Sequence, residues 1–160
     1  MQEKVKLTYN HLDGCKTAIE DIYNNNKSSN EVDFFVKIIR LKKQVTKYLE
    51  EFYEYKDVLL KEHCKLDQNG KRMSHFEKDE NGKSISVWTL NNKNEYWEKV
   101  NKFLEKEILL DHIYVTVEQL KNVNLLPKNL DFFIVNEIFI ICEEEHSNGT
   151  KQDEGNKEKD

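Results

Sequence analysis

Histidine and cysteine offer the first candidates for chemistry. His63 and Cys64 are adjacent, and His75 follows in the next segment. A zinc site builds on closely spaced ligand pairs, such as two cysteines two to four residues apart. The other cysteines here stand far off, at Cys15 and Cys142. As a nucleophile and base, His63 and Cys64 fare no better. Consecutive side chains on a helix point about 100° apart, so the imidazole cannot readily take the thiol proton. The segment Asp67-Gln68-Asn69-Gly70-Lys71 recurs as Asp79-Glu80-Asn81-Gly82-Lys83. It has the flavour of a calcium loop, but that loop needs Gly at its sixth position and Glu at its twelfth. Gly in fourth place after Asn is instead a hairpin-turn signal, with positive φ at Asn-Gly and the Asp bonding the turn backbone. Carboxylate pairs such as Glu50/Glu51 fall on a polar helix face. The sequence has no nucleophile elbow and no glycine-rich phosphate cradle. It therefore reads as a non-enzyme without metal or cofactor.

Aromatic and basic residues are the better candidates, as contacts to a partner, although core packing is the expected fate of most of the aromatics around the hairpin. Phe76 and Trp88 flank the second Asp-x-Asn-Gly turn, with Lys71, Arg72 and Lys83 nearby and Tyr53 upstream. Aromatics and Arg dominate protein-binding hot spots. Nucleic acid is a poor fit, because only two of the 25 basic residues are arginines, Arg40 and Arg72. The net charge of −5 also divides unevenly. Residues 143–160 hold seven acids and three lysines, which leaves the body with 22 bases against 23 acids. That balance excludes a basic nucleic-acid footprint over the whole body. A lysine-dominated set around Lys42, Lys43, Lys47, Lys71 and Arg72 leaves nucleic-acid association as the weakest alternative.

The elements that must position these residues follow from periodicity. Leu12, Cys15, Ile19, Ile22 and Tyr23 predict an amphipathic helix from about Thr8 to Asn24, with Gly14 as its weak point. After a polar break, Asn30 is placed to cap a second helix, with Asp33 in its first turn. Phe34, Ile38, Leu41, Val45, Tyr48, Phe52, Tyr55 and Leu59 then alternate spacings of four and three, an unbroken heptad seam. An apolar stripe of that length must meet a partner. Its four aromatics favour a mixed surface of the same chain over a second chain. Residues 72–90 read as a β-hairpin with its tip at Asp79–Gly82, one face of which should lie on the helical body or on a partner. Asn92 and Glu95 open a helix whose stripe runs Tyr96, Val100, Phe103, Leu104, Ile108, with Trp97 at its start. Ile113–Val117 alternates as a strand and residues 118–123 form a turn or helical stub. Pro127 begins a last helix reaching Ile141, apolar almost all round and expected at the centre of the core. The fold class is α+β: a long helix, two to three further helices and a small antiparallel sheet or hairpin. Residues 1–142 make a single domain, and 143–160 an acidic tail expected to be disordered.

In order, these parts resemble a family. The stretches KLDQNGKR, NEYWEKVNKFLEKEILLDHIYVTVEQLKN and LLPKNLDFFIVNEI, with the two helices before them, are similar to small bacteriophage proteins of unassigned function from phages of Gram-positive bacteria. The likeness covers Lys6 to Cys142 and brings no catalytic residues with it. It implies an accessory protein made in the cytoplasm of an infected cell that binds a host or phage protein, host defence components such as CRISPR effectors included. The alternative is a self-assembling scaffold, a homodimer closed along the Phe34–Leu59 seam. No run of the sequence is apolar enough for a membrane span, and Met1-Gln2-Glu3-Lys4 opens no signal peptide.

Overall fold

The computed structural model describes residues 3–27 and 30–143; the tail from 144 onward lies outside the described residues. In chain order the elements are β1 (Lys4–Thr8), a 3-10 turn at Tyr9–His11, α1 (Leu12–Asn25), α2 (Val32–His63), β2 (Ser74–Lys78), β3 (Ser84–Trp88), α3 (Lys93–Leu104), β4 (Glu107–Asp111), β5 (Ile113–Thr116), α4 (Val117–Asn122), α5 (Pro127–Val135) and β6 (Phe139–Cys142). The α+β reading stands, with four helices besides the long one among the described residues where two to three were expected. The strands form three separate pairs: β1 antiparallel to β4, β2 antiparallel to β3, and β5 parallel to β6. Among the described residues no helix is long and apolar enough to cross a membrane.

The seam of α2 closes within the chain. Phe34, Ile38, Leu41 and Val45 are fully buried against Leu12, Cys15, Ile19 and Ile22 of α1, Ile108 and Leu110 of β4, and Phe133, Ile138 and Phe139 near the end of the chain. Further along, Leu49 joins the buried set, while Tyr48, Phe52 and Tyr55 are only partly covered. A heptad stripe drifts by about 20° per seven residues on a straight helix, so the covered line shifts as the neighbours change. Tyr48, Phe52 and Tyr55 meet Tyr9 and Phe103 instead, with the Tyr55 and Phe103 rings stacked at 4.4 Å. Tyr9 donates its hydroxyl to Glu51 at 2.8 Å. Burial first, and then that carboxylate, push its phenol well above the ordinary range. At the C-terminal end of α2, Leu59 joins Tyr96 and Val100 of α3 in a second, smaller cluster.

Several expectations are corrected. The first helix begins at Leu12, because Lys4–Thr8 is a strand paired with β4 and a 3-10 turn intervenes. Glu31, not Asn30, stands at the start of α2 and offers no side-chain cap; Asn30 contributes its carbonyl to Val32 N–H instead. Ile108 sits in β4 rather than on the helix before it. Val117 opens α4, whose start is held by reciprocal bonds between Thr116 and Gln119. The last helix stops at Val135, since Glu137 turns the chain with φ 56° and Ile138 leads into β6. That helix is not the centre of the core: Phe133 is fully buried, but Ile134 and Val135 are exposed. Gly14 proves to be a close approach. A Cβ there would lie 2.6 Å from the Phe132 ring that α5 lays on α1.

If α2 organises the core in this way, Phe34→Ala should lower stability by about 3–5 kcal/mol, the usual cost of emptying a buried phenylalanine site. A urea midpoint unchanged from that of the unaltered chain would contradict this.

Candidate interaction surface

The β2–β3 ribbon is planted on a junction where α2 ends. Lys65 N–H donates to Thr89 O at 2.8 Å, Met73 N–H to Lys65 O at 2.8 Å, and Thr89 N–H to Met73 O at 2.9 Å. This ring of three backbone bonds ties the exit of α2 to both legs of the ribbon. Asn91 N–H adds a bond to His63 O at 2.7 Å. Local chemistry sets both turns. Asp67 Oδ1 accepts from the amides of Asn69 and Lys71 at 2.8 and 2.9 Å, and Asp79 Oδ1 from those of Asn81 and Lys83 at 2.9 and 2.8 Å. Gly70 and Gly82 take φ +75° and +77°. Among the described residues neither Asn has positive φ, so glycine alone supplies the left-handed step in each turn.

Strand register sorts the ribbon's side chains into two faces. Ser74 pairs with Trp88, Phe76 with Ser86 and Lys78 with Ser84, and these six share one side. His75, Glu77, Ile85 and Val87 share the other. The second side leans towards the body. His75 lies 2.8 Å from Thr89 Oγ1 and 2.9 Å from Glu77, which in turn meets Lys93 at the start of α3 at 3.5 Å. The His75 contact first, and Lys93 next, hold the Glu77 carboxyl below its usual value. The first side faces away. Phe76 is 76% exposed and Trp88 45%. Its serines are small, Lys78 is cationic, and no carboxylate lies between them. No residue of β2 or β3 is buried, so of the two covers expected for one face, the helical body or a partner, the helical body does not supply it for most of the ribbon.

The other candidate residues have separate places. Arg72 is committed at the base, 3.1 Å from Asp57 of α2, with its guanidinium 6.0 Å from the centre of the Trp88 ring. It ties the base of the ribbon to α2. Lys71 and Lys83 occupy the two turns, at opposite ends of the ribbon. Tyr53 is exposed but stands on α2 beside a groove of about 210 Å³ over Ile19, Val45 and Leu49. The structure thus places Phe76 and Trp88 on one face of the ribbon, with Arg72 near Trp88, and leaves Tyr53 elsewhere. Sequence reading missed Lys78 on the outward face and the Asp57 latch. Period-two alternation counted back from the tip would have found Lys78, whereas nothing local announces Asp57.

His63 and Cys64 diverge. The Cys64 thiol lies near Lys65 O and Met73 O at 3.6 and 3.7 Å. His63 Nε2 accepts from Lys99 at 3.1 Å, with Glu62 and Glu95 at 3.8 and 4.0 Å. Cys15 is fully buried, and burial pushes its thiol up to about 12, far from a reactive thiolate. Among the described residues no group of three His, Cys, Asp or Glu side chains could hold a metal ion.

Hydrogen bonds from Lys61 first and Arg72 second hold the Asp57 carboxyl below its ordinary value. Its contribution to the ribbon's anchorage is therefore full above the usual Asp pKa of about 4 and lost as pH falls through the lowered value. Asp57→Asn should speed amide exchange at Met73 and Thr89 at neutral pH while leaving the middle of α2 protected. Unchanged exchange at both amides would remove Asp57 as a latch. Comparison with protein-family models, curated proteins and solved structures returns no match.

Proposed function

We propose that this chain is a non-enzymatic binding protein that sets the outward face of its ribbon against a partner protein. One observation carries the reading: two large aromatics lie in solvent on a two-stranded ribbon that the body does not cover. A lone hairpin is marginal in water, and apolar area held out of the core costs solubility unless something covers it. Trp88 and Arg72 are also residue types that make central anchors in protein interfaces, and the Arg72 guanidinium lies 6.0 Å from the centre of the Trp88 ring.

The resemblance to small phage proteins gives this reading its setting: a partner in the cytoplasm of an infected Gram-positive bacterium, with a defence component such as a CRISPR effector as the class to try first. That setting rests on the resemblance alone. Self-assembly along the Phe34–Leu59 seam loses its surface, because the seam's apolar side chains are covered wholly or in part by the same chain. Nucleic-acid association loses Arg72, which is held by Asp57.

The experiment is a comparative capture from a Gram-positive lysate, with the unaltered chain and a Phe76→Ser, Trp88→Ser variant whose helical circular dichroism is intact. The unaltered chain should retain one protein in near-equal amount, and the variant should lose it at least tenfold, since interface aromatics are commonly worth 2 kcal/mol or more, roughly a thirtyfold change in affinity. Equal recovery by both would sink the proposal.

A further inference from the structure

Opposite its buried seam, α2 carries a second stripe at heptad spacing. Arg40, Lys43, Lys47, Glu50, Glu54 and Asp57 follow at intervals of 3, 4, 3, 4 and 3 and line the outer face of the helix. All are exposed except Asp57, which is partly covered. Three cations come first and three anions after.

This order is unfavourable for a helix on its own. Like charges three or four residues apart repel, and a surface stripe gains most when its signs alternate. Four of the five neighbouring contacts here join like charges; only Lys47 and Glu50 attract. The rest of the chain does not relieve the strain. Among the described residues Arg40, Lys43, Lys47, Glu50 and Glu54 make no ion pair, while Asp57 is already held by Lys61 and Arg72.

The stripe is, however, the mirror of itself. About the point between Tyr48 and Leu49, each cation sits as far on one side as an anion on the other. We propose that a second copy of this chain docks antiparallel along the outer face of α2. Lys47 then faces Glu50 of the other copy and Lys43 faces Glu54, each pair occurring twice by symmetry. Arg40 faces Asp57, which has cations already, so the inner pairs carry the contact. A purely acidic or purely basic partner fits less well, because half the stripe would repel it.

Exposed ion pairs are individually weak and screened by salt, so the dimer is concentration-dependent and salt-sensitive rather than obligate. Its geometry matters for the ribbon. With the two α2 helices antiparallel, the two ribbons leave opposite ends, about 44 Å apart at 1.5 Å per helical residue. One dimer would present two copies of the outward aromatic face. The dimer does not depend on the function proposed for that face.

A charge swap tests it. Mass is measured by light scattering across a dilution series at about 50 mM and about 500 mM salt, with circular dichroism confirming that each variant is folded. The unaltered chain should move from 19.2 kDa towards twice that mass as concentration rises at low salt. The association constant should fall about tenfold or more at high salt. Lys43→Glu with Lys47→Glu, and separately Glu50→Lys with Glu54→Lys, should each stay monomeric. Mixed in equal amounts, the two variants should associate, because every inner pair is again of opposite sign. A mass fixed at one chain for the unaltered protein, self-association that survives either reversal, or a mixture no heavier than its components would each overturn the proposal.

Discussion

The need to cover one side of a 32-residue helix organises this fold. At about 1.5 Å per residue α2 is close to 48 Å long, more than any one neighbour can shield. Its first half is covered by α1, β4 and the β5–β6 pair, drawn from both ends of the sequence. The middle rests on aromatic contacts with Tyr9 and Phe103. The last third has only α3 and the small cluster around Leu59, Tyr96 and Val100. Apolar burial therefore thins along the helix, and resistance to local opening should thin with it.

The ribbon is attached at the thin end. Its hold on the body is mostly polar: a ring of backbone bonds, the Asp57–Arg72 pair and the Glu77–Lys93 contact. Such contacts direct a structure more than they stabilise it, because the charges remain near water. The ribbon's own turns are rigidly specified, each by an Asp that accepts two amides and a Gly in the left-handed region. A stiff ribbon on a polar footing keeps its aromatic side outward without burying it, which a firmly packed sheet would not do.

Legibility in the sequence follows the range of the interactions involved. The α2 seam, both Asp-x-Asn-Gly turns and the Asn92 cap with Glu95 are set by residues within a turn or two of each other, and all are found where the pattern puts them. The strands β1 and β4 were not readable, because each needs the other from a hundred residues away. Ile108 keeps helical spacing with Leu104, so nothing local marks the change of period. Ile138 and Ile141 deceive in the same way, being spaced for a helix but placed by a turn at Glu137 and by pairing with β5. At the candidate surface, Phe76 and Trp88 were legible as aromatics of a hairpin, but their exposure was not, since core packing was the expected fate of most of that cluster. The role of Arg72 was not, since it depends on where α2 brings Asp57.

Two features of this chain sit awkwardly with the folding of a single copy. Phe76 and Trp88 lie in solvent outside the core, and a solitary helix gains less from gathering its cations in one half and its anions in the other than from alternating them. Sequences are generally consistent from local preference to global fold, so conflicts of this kind mark places where another requirement has won. The two conflicts also differ in physics. Burial of aromatic surface is little affected by moderate salt, whereas facing stripes of opposite charge weaken as salt rises. The helix and the ribbon it carries can therefore serve separate contacts, one tuned by ionic strength and concentration and the other by the shape of the partner.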